Sequence, residues 1–171
     1  MSSFSSLIRR MALAAGLASL LGGCIQPLYG TLGPGRLESE LQAIRIEPIP
    51  DRFGHYLEKE LAFAFNGTGL DVAPRYRLVV KLKQRVQAPV VDTVTSRATA
   101  ATVIGDASFE LFPLGASAPI LQGVAFNVAG YDRFSQRISN VRAARDAEIR
   151  DAKAIAEQIR TQIAARMASR N

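Results

Sequence analysis

Residues 75–87 read RYRLVVKLKQRVQ, and apolar and cationic side chains alternate along them. Tyr76, Leu78, Val80, Leu82 and Val86 fall on one side; Arg75, Arg77, Lys81, Lys83 and Arg85 fall on the other, interrupted by Val79. In a strand successive side chains point to opposite faces, so this period of two predicts a sheet with one covered face and one polar face. A chain bearing such a strand must also supply the elements that cover its apolar side.

Those elements are readable on either side of it. Ile44 and Ile46 alternate with Arg45 and Glu47, and Pro48 and Pro50 then end a short strand. From Asp51, a good N-cap residue, Phe53, Tyr56, Leu57, Leu61, Ala64 and Phe65 recur at helical spacing, which predicts a helix over about 51–65. Asn66-Gly67-Thr68-Gly69 stops it. A second long strand is expected at about 94–112, with Ala101, Val103, Ala107, Phe109 and Leu111 inward and Thr102, Asp106, Ser108 and Glu110 outward. A turn at 113–119 leads to a partner strand at 120–134, with Val124, Phe126 and Val128 inward and Asn127 outward.

The period changes again near the C-terminus. Ile149, Ala152, Ile155, Ala156, Ile159, Ile163 and Met167 mark one face of a helix at about 139–167, with Arg142, Asp146, Arg150, Lys153, Glu157 and Arg160 on the other. Such a helix is roughly 40 Å long, enough to cross a small sheet. The order β-α-β-β-β-α predicts an α+β two-layer sandwich: a mostly antiparallel four-stranded sheet with two helices on one face.

The N-terminus reads differently. Arg9 and Arg10 precede an uncharged, Ala- and Leu-rich run at 11–21. A membrane-spanning helix needs about 20 apolar residues, so this run is too short to span and suits a secretory signal. Leu21-Gly22-Gly23-Cys24 follows, and Cys24 is the sole cysteine. A lone thiol rules out an internal disulfide framework and leaves a structural thiol, a nucleophile or a modification site. The small residues before it resemble a bacterial lipobox, in which the thiol accepts a diacylglyceryl group and cleavage frees an amine for a further acyl chain such as palmitate. An ordinary signal peptide with a chance cysteine is the other reading. Each buried methylene contributes about 0.8 kcal/mol, so several chains hold a protein on a membrane. The expected division is a signal peptide at 1–23, a lipidated tether at 24–40 rich in Pro and Gly, and one domain at 41–171.

Catalytic constellations are thin. His55 lies between Asp51 and Glu58 on the expected first helix, where a solvated side chain is the simpler reading than an acid–base cluster. No Gly-rich phosphate loop, metalloprotease helix motif or nucleophile elbow is present. The expectation is a protein that is not an enzyme, with no cofactor and no metal site. The formal charge of +6 and the sequence pI near 10.0 point to an anionic partner. Arg75, Arg77, Lys81, Lys83 and Arg85 are the candidate anion- or partner-contacting residues, and a solvated face discouraging edge pairing is the competing account. A lipidated envelope protein does not meet nucleic acid.

The lipobox, Pro27-Leu28-Tyr29-Gly30, RFGHYLEKEL, YRLVVKLK, a long hairpin and RDAEIRDAKAIAEQIRTQIAARMA occur in this order. Together they resemble the LPS-assembly lipoprotein family LptE, in its alphaproteobacterial form, over essentially the whole mature chain. The interval from Cys24 to Pro27 is one residue shorter than the family's usual one. The resemblance implies a lipoprotein of the cell outer membrane, facing the periplasm or lying inside the lumen of an LptD-like β-barrel. There it would serve as plug and assembly partner for lipopolysaccharide transport, held to the membrane by its N-terminal lipid. A domain of this size is about 38 Å across, and plugged outer-membrane barrels have about 22 strands. The alternative is an accessory lipoprotein of an ABC-type envelope lipid transporter.

Overall fold

The structure, a computed structural model, describes residues 34–67, 69, 72–91 and 98–169. The signal peptide, Cys24 and the first part of the expected tether lie outside the described residues. The elements run α1 (Pro34–Gln42), β1 (Ile44–Ile46), α2 (Asp51–Asn66), β2 (Tyr76–Val91), β3 (Ala98–Pro113), β4 (Leu121–Asp132) and α3 (Arg137–Ala168). The fold is α+β, with a four-stranded sheet in the order β1-β2-β3-β4. β1 runs parallel to β2, and the other pairings are antiparallel. The expected class and strand order are therefore present, with one added helix.

That helix is α1, in a stretch whose Pro and Gly residues suggested only a tether. Pro34 opens it, and a first helical position needs no N–H and suits proline's fixed φ. Leu37 and Leu41, four residues apart, are both buried in the main core. At the next junction Pro50 occupies the N-cap of α2, and no side chain caps it. Asp51 is instead the first helical residue, with φ at 70°, a region that Asp tolerates better than most residues.

The core lies between the sheet and α2 and α3. Phe53, Leu57 and Leu61 of α2 meet Leu78, Phe109 and Leu111 of the strands and Ile155, Ile159 and Ile163 of α3. The inward parity of β2 and β3 is as read from the sequence, although Val86 reaches past the helices and is largely exposed. The stripe on α3 is also as expected from Ala152 to Met167, whereas Ile149 is partly exposed. Asp146 and Arg150 form the i,i+4 pair, at 2.8 Å.

β4 is the correction. Ala125 and Ala129 are buried and Asn127 faces the helices, while Val124, Phe126 and Val128 stand on the outer face. The cause is the close approach of α3. A Cβ on Gly123 would lie 2.6 Å from Gln162 Oε1 of α3, and one on Gly105 would lie 2.6 Å from Ile155 Cδ1 of α3. The inner row beneath the helix is Gly123, Ala125, Asn127 and Ala129, with Asn127 fitted opposite the bare Gly105, so the bulky apolar set faces away.

Candidate functional site

Arg77, Lys81, Lys83 and Arg85 share the outer face of β2, with Arg75 just before the strand, and the structure gives the five cations different work. Arg75 pairs with Glu40 of α1 at 2.9 Å, and Arg77 pairs with Glu47 just after β1 at 2.8 Å. The Arg77 guanidinium also lies over the Phe112 ring, 4.4 Å from its centroid. These two arginines tie the start of β2 to its neighbours. Arg85, further along, reaches Asp106 of β3 at 2.8 Å. Lys81 and Lys83 are exposed and make no ion pair or hydrogen bond among the described residues. They are the open part of the ladder, about 6.6 Å apart along the strand.

Register sets what faces them. Lys81 lies opposite Ser108, which lies opposite Val124; Lys83 lies opposite Asp106, which lies opposite Phe126. Arg85, Ile104 and Val128 form the next row. Neighbouring strands are about 4.8 Å apart, so a cationic column on β2 runs some 10 Å from an apolar column on β4. Val124 is 72% exposed and Phe126 53%. Two shallow grooves lie between the columns, of about 370 and 430 Å³. Lys81, Ser108 and Val124 line both, and Lys83 and Phe126 line the second.

This arrangement can hold an anionic group against two ammonium ions while an apolar segment lies on the valines and Phe126. His55 is exposed on α2 with only the Tyr56 ring near it, and Glu58 instead accepts the Ile49 N–H at 3.3 Å. The structure therefore does not bring Asp51, His55 and Glu58 together as a cluster. Among the described residues there is no group of three potential metal ligands, and no helix long and apolar enough to cross a membrane. The apolar half of the site was missed in the sequence because its residues were assigned to the core. The signal was present: Val124, Phe126 and Val128 alternate with Gly123, Ala125, Asn127 and Ala129, a row of small residues around one asparagine that suits a closely packed helix.

Two buried carboxyls beneath the sheet complete the local electrostatics. Glu148 accepts from Arg52 Nε at 3.0 Å and Nη2 at 2.7 Å, and from Gln84 at 3.1 Å. Asp151 accepts from Asn127 at 2.7 Å, and its Oδ2 has no hydrogen-bond partner among the described residues. Burial pushes Asp151 up to about 6, the Asn127 bond opposes this, and Asp106 adds to it.

No protein-family model and no curated protein matches the chain. Solved structures do share its fold. A crystal structure of a candidate lipoprotein from Caulobacter crescentus matches with a TM-score of 0.68 at 20% identity, covering 81% of this chain and all of that one. A minor lipoprotein from Acinetobacter baumannii matches with a TM-score of 0.58 at 15% identity, covering 72% of this chain and 91% of that one. At these identities the likeness is one of fold.

Proposed function

We propose that this chain is an outer-membrane lipoprotein that assembles with and plugs a large LptD-like β-barrel, supporting lipopolysaccharide transport and insertion at the cell surface. The observation that carries this reading is the uncovered outer face of the sheet, with Lys81 and Lys83 beside Val124, Phe126 and Val128. A face that is half cationic and half apolar fits a polar barrel wall or a phosphorylated glycolipid better than bulk water. The lipobox at Cys24 and the fold shared with two lipoprotein structures support the envelope setting.

The test is purification of the tagged chain from outer membranes. A large barrel should co-purify with it, and depletion of the chain should lower surface lipopolysaccharide. Charge reversal at Lys81 and Lys83 should weaken the barrel association while leaving the melting temperature unchanged, because neither lysine has a structural partner among the described residues. Normal surface lipopolysaccharide after depletion would sink the proposal, and co-fractionation with an ATPase complex would replace it with the transporter reading.

A further inference from the structure

The two edges of the sheet are treated differently. β4 is one edge, and α3 covers its open backbone groups with side chains. Gln158 accepts the Phe126 N–H at 3.2 Å and donates to the Phe126 carbonyl at 3.0 Å. Gln162 donates to the Val124 carbonyl at 2.9 Å, Arg150 to the Gly130 carbonyl at 2.9 Å and Arg166 to the Ile120 carbonyl at 3.3 Å. Such cover is a way of blunting an edge against strand addition.

The other edge has no such cover among the described residues. β1 pairs with β2 only from Tyr76 to Leu78, and its last bond is the Glu47 N–H to the Leu78 carbonyl at 2.9 Å. Pro48 has no N–H to continue the ladder, and the Ile49 N–H turns to Glu58. β2 nevertheless runs on to Val91. Within β2 the Tyr76 N–H and the Leu78 carbonyl bond Ala43 and Glu47 on the β1 side, so the even-numbered residues of β2 point toward the edge. The Arg75 carbonyl, just before the strand, accepts from Leu114 on the β3 side while its N–H still bonds Ala43. No hydrogen bond among the described residues reaches the edge-facing backbone groups of Leu82, Gln84 or Val86, whereas Val80 before them is buried. That is an open template about 16 Å long at a strand's rise per residue.

The side chains on this template state what it can accept. On the outer face an added strand would place its residues beside Lys81, Lys83 and Arg85; on the inner face it would meet Leu82 and Val86. A second copy of this strand would set cation against cation, and like charges directly opposite are destabilising. An acidic strand gains the two lysines that have no partner. We infer that the edge of β2 from Lys81 to Val86 is a docking site for an extended segment of a partner protein whose residues alternate acidic and apolar. The segment adds as a fifth strand, its acids on the face of Lys81 and Lys83 and its apolar residues beside Leu82 and Val86. The inference does not depend on the partner being a barrel.

The experiment mixes the purified full chain with three capped nine-residue peptides: alternating Glu and Val, alternating Lys and Val, and the Glu-Val sequence with every backbone amide N-methylated. The Glu-Val peptide should bind and slow amide exchange at Leu82, Gln84 and Val86. The Lys-Val peptide, and the N-methylated peptide that keeps the charges but loses the donors, should not. Lys81→Glu with Lys83→Glu should reverse the charge preference. Val86→Pro removes one edge donor and no bond to β3, so binding should fall about fivefold to tenfold with the melting temperature unchanged. Equal binding of the N-methylated peptide would reduce the effect to charge attraction, and equal binding of the Lys-Val peptide would remove the charge rule. Either result, or no Glu-Val binding at millimolar concentration, overturns the inference.

Discussion

Asp151 lies on the sheet side of α3 with none of its surface exposed, one oxygen bonded to Asn127 and the other without a donor among the described residues. Burial, set against the Asn127 bond and reinforced by Asp106, raises it to about 6 from an ordinary 3.8. The folded state therefore prefers the protonated acid. This preference contributes its full stability below the unfolded value near 4, and the contribution is lost as the pH rises through about 6. A tenfold change in proton affinity corresponds to about 1.4 kcal/mol, so unfolding at pH 4.5 and pH 8 should differ by an amount on the order of 2 kcal/mol from this group alone. Asp151→Asn keeps an acceptor for Asn127 and removes the charge. It should raise the melting temperature at pH 8 and flatten its dependence between pH 4 and 7; an unchanged profile would show that the carboxyl is relieved by solvent. Below it, Gly105 leaves no space for a methyl group, since a Cβ there would lie 2.9 Å from both Asp151 Oδ2 and Phe53 Cζ. Gly105→Ala should cost about 1–3 kcal/mol, read by denaturant titration. The burial of Asp151 was legible in one respect, because it precedes Ile155 by four residues and shares its stripe. Its charge argues for solvent, and only the bare Gly105 beneath it on β3 explains how it is accommodated.

Among the elements, α3 shows why spacing alone gives a helix but not all its duties. One side packs Ala152, Ile155, Ala156, Ile159 and Ile163, as the periodicity indicates. An adjacent line of Arg150, Gln158, Gln162 and Arg166 looks like ordinary solvated surface in the sequence, yet it covers the carbonyls along the edge of β4. Gln158→Ala together with Gln162→Ala should speed amide exchange at Phe126 about tenfold, with a loss of about 1 kcal/mol for each hydrogen bond removed. Unchanged exchange at Phe126 would mean that water replaces the glutamines without loss. The same helix decided the parity of β4. Hydrophobicity assigned Val124, Phe126 and Val128 to the core, but the narrow space under α3 is filled by Gly123, Ala125 and Ala129, with Asn127 reaching Asp151 over Gly105. Volume outweighed hydrophobicity there, and volume depends on a helix far along the chain. α1 was hidden by the opposite fault: proline and glycine suggested a tether, although proline at a first helical position breaks nothing.

At the scale of the molecule, the order of the long elements was legible because each change of period marks a change of element, and covering one face of the sheet leaves few arrangements. The use of the other face was not, since it depends on register between strands. The same register gives the molecule two ends. α1 is held to the start of β2 by Glu40, through Arg75 and the Tyr76 hydroxyl, and β2 then extends for sixteen residues. Cys24 precedes Pro34 by ten residues, a reach of at most about 35 Å. A lipid on Cys24 therefore keeps the α1 end near the membrane, while the core among the described residues begins at Leu37. Attachment and folding should separate cleanly. Cys24→Ser should abolish palmitate labelling and move the chain out of the membrane fraction, while its melting temperature stays that of the delipidated parent. It should also lower recovery of a partner from cells, yet leave binding of the Glu-Val peptide in solution unchanged, because the edge of β2 lies within the folded domain. A Cys24→Ser chain that still takes up palmitate would refute the lipobox, and one that loses its cooperative transition would place the N-terminal segment in the core.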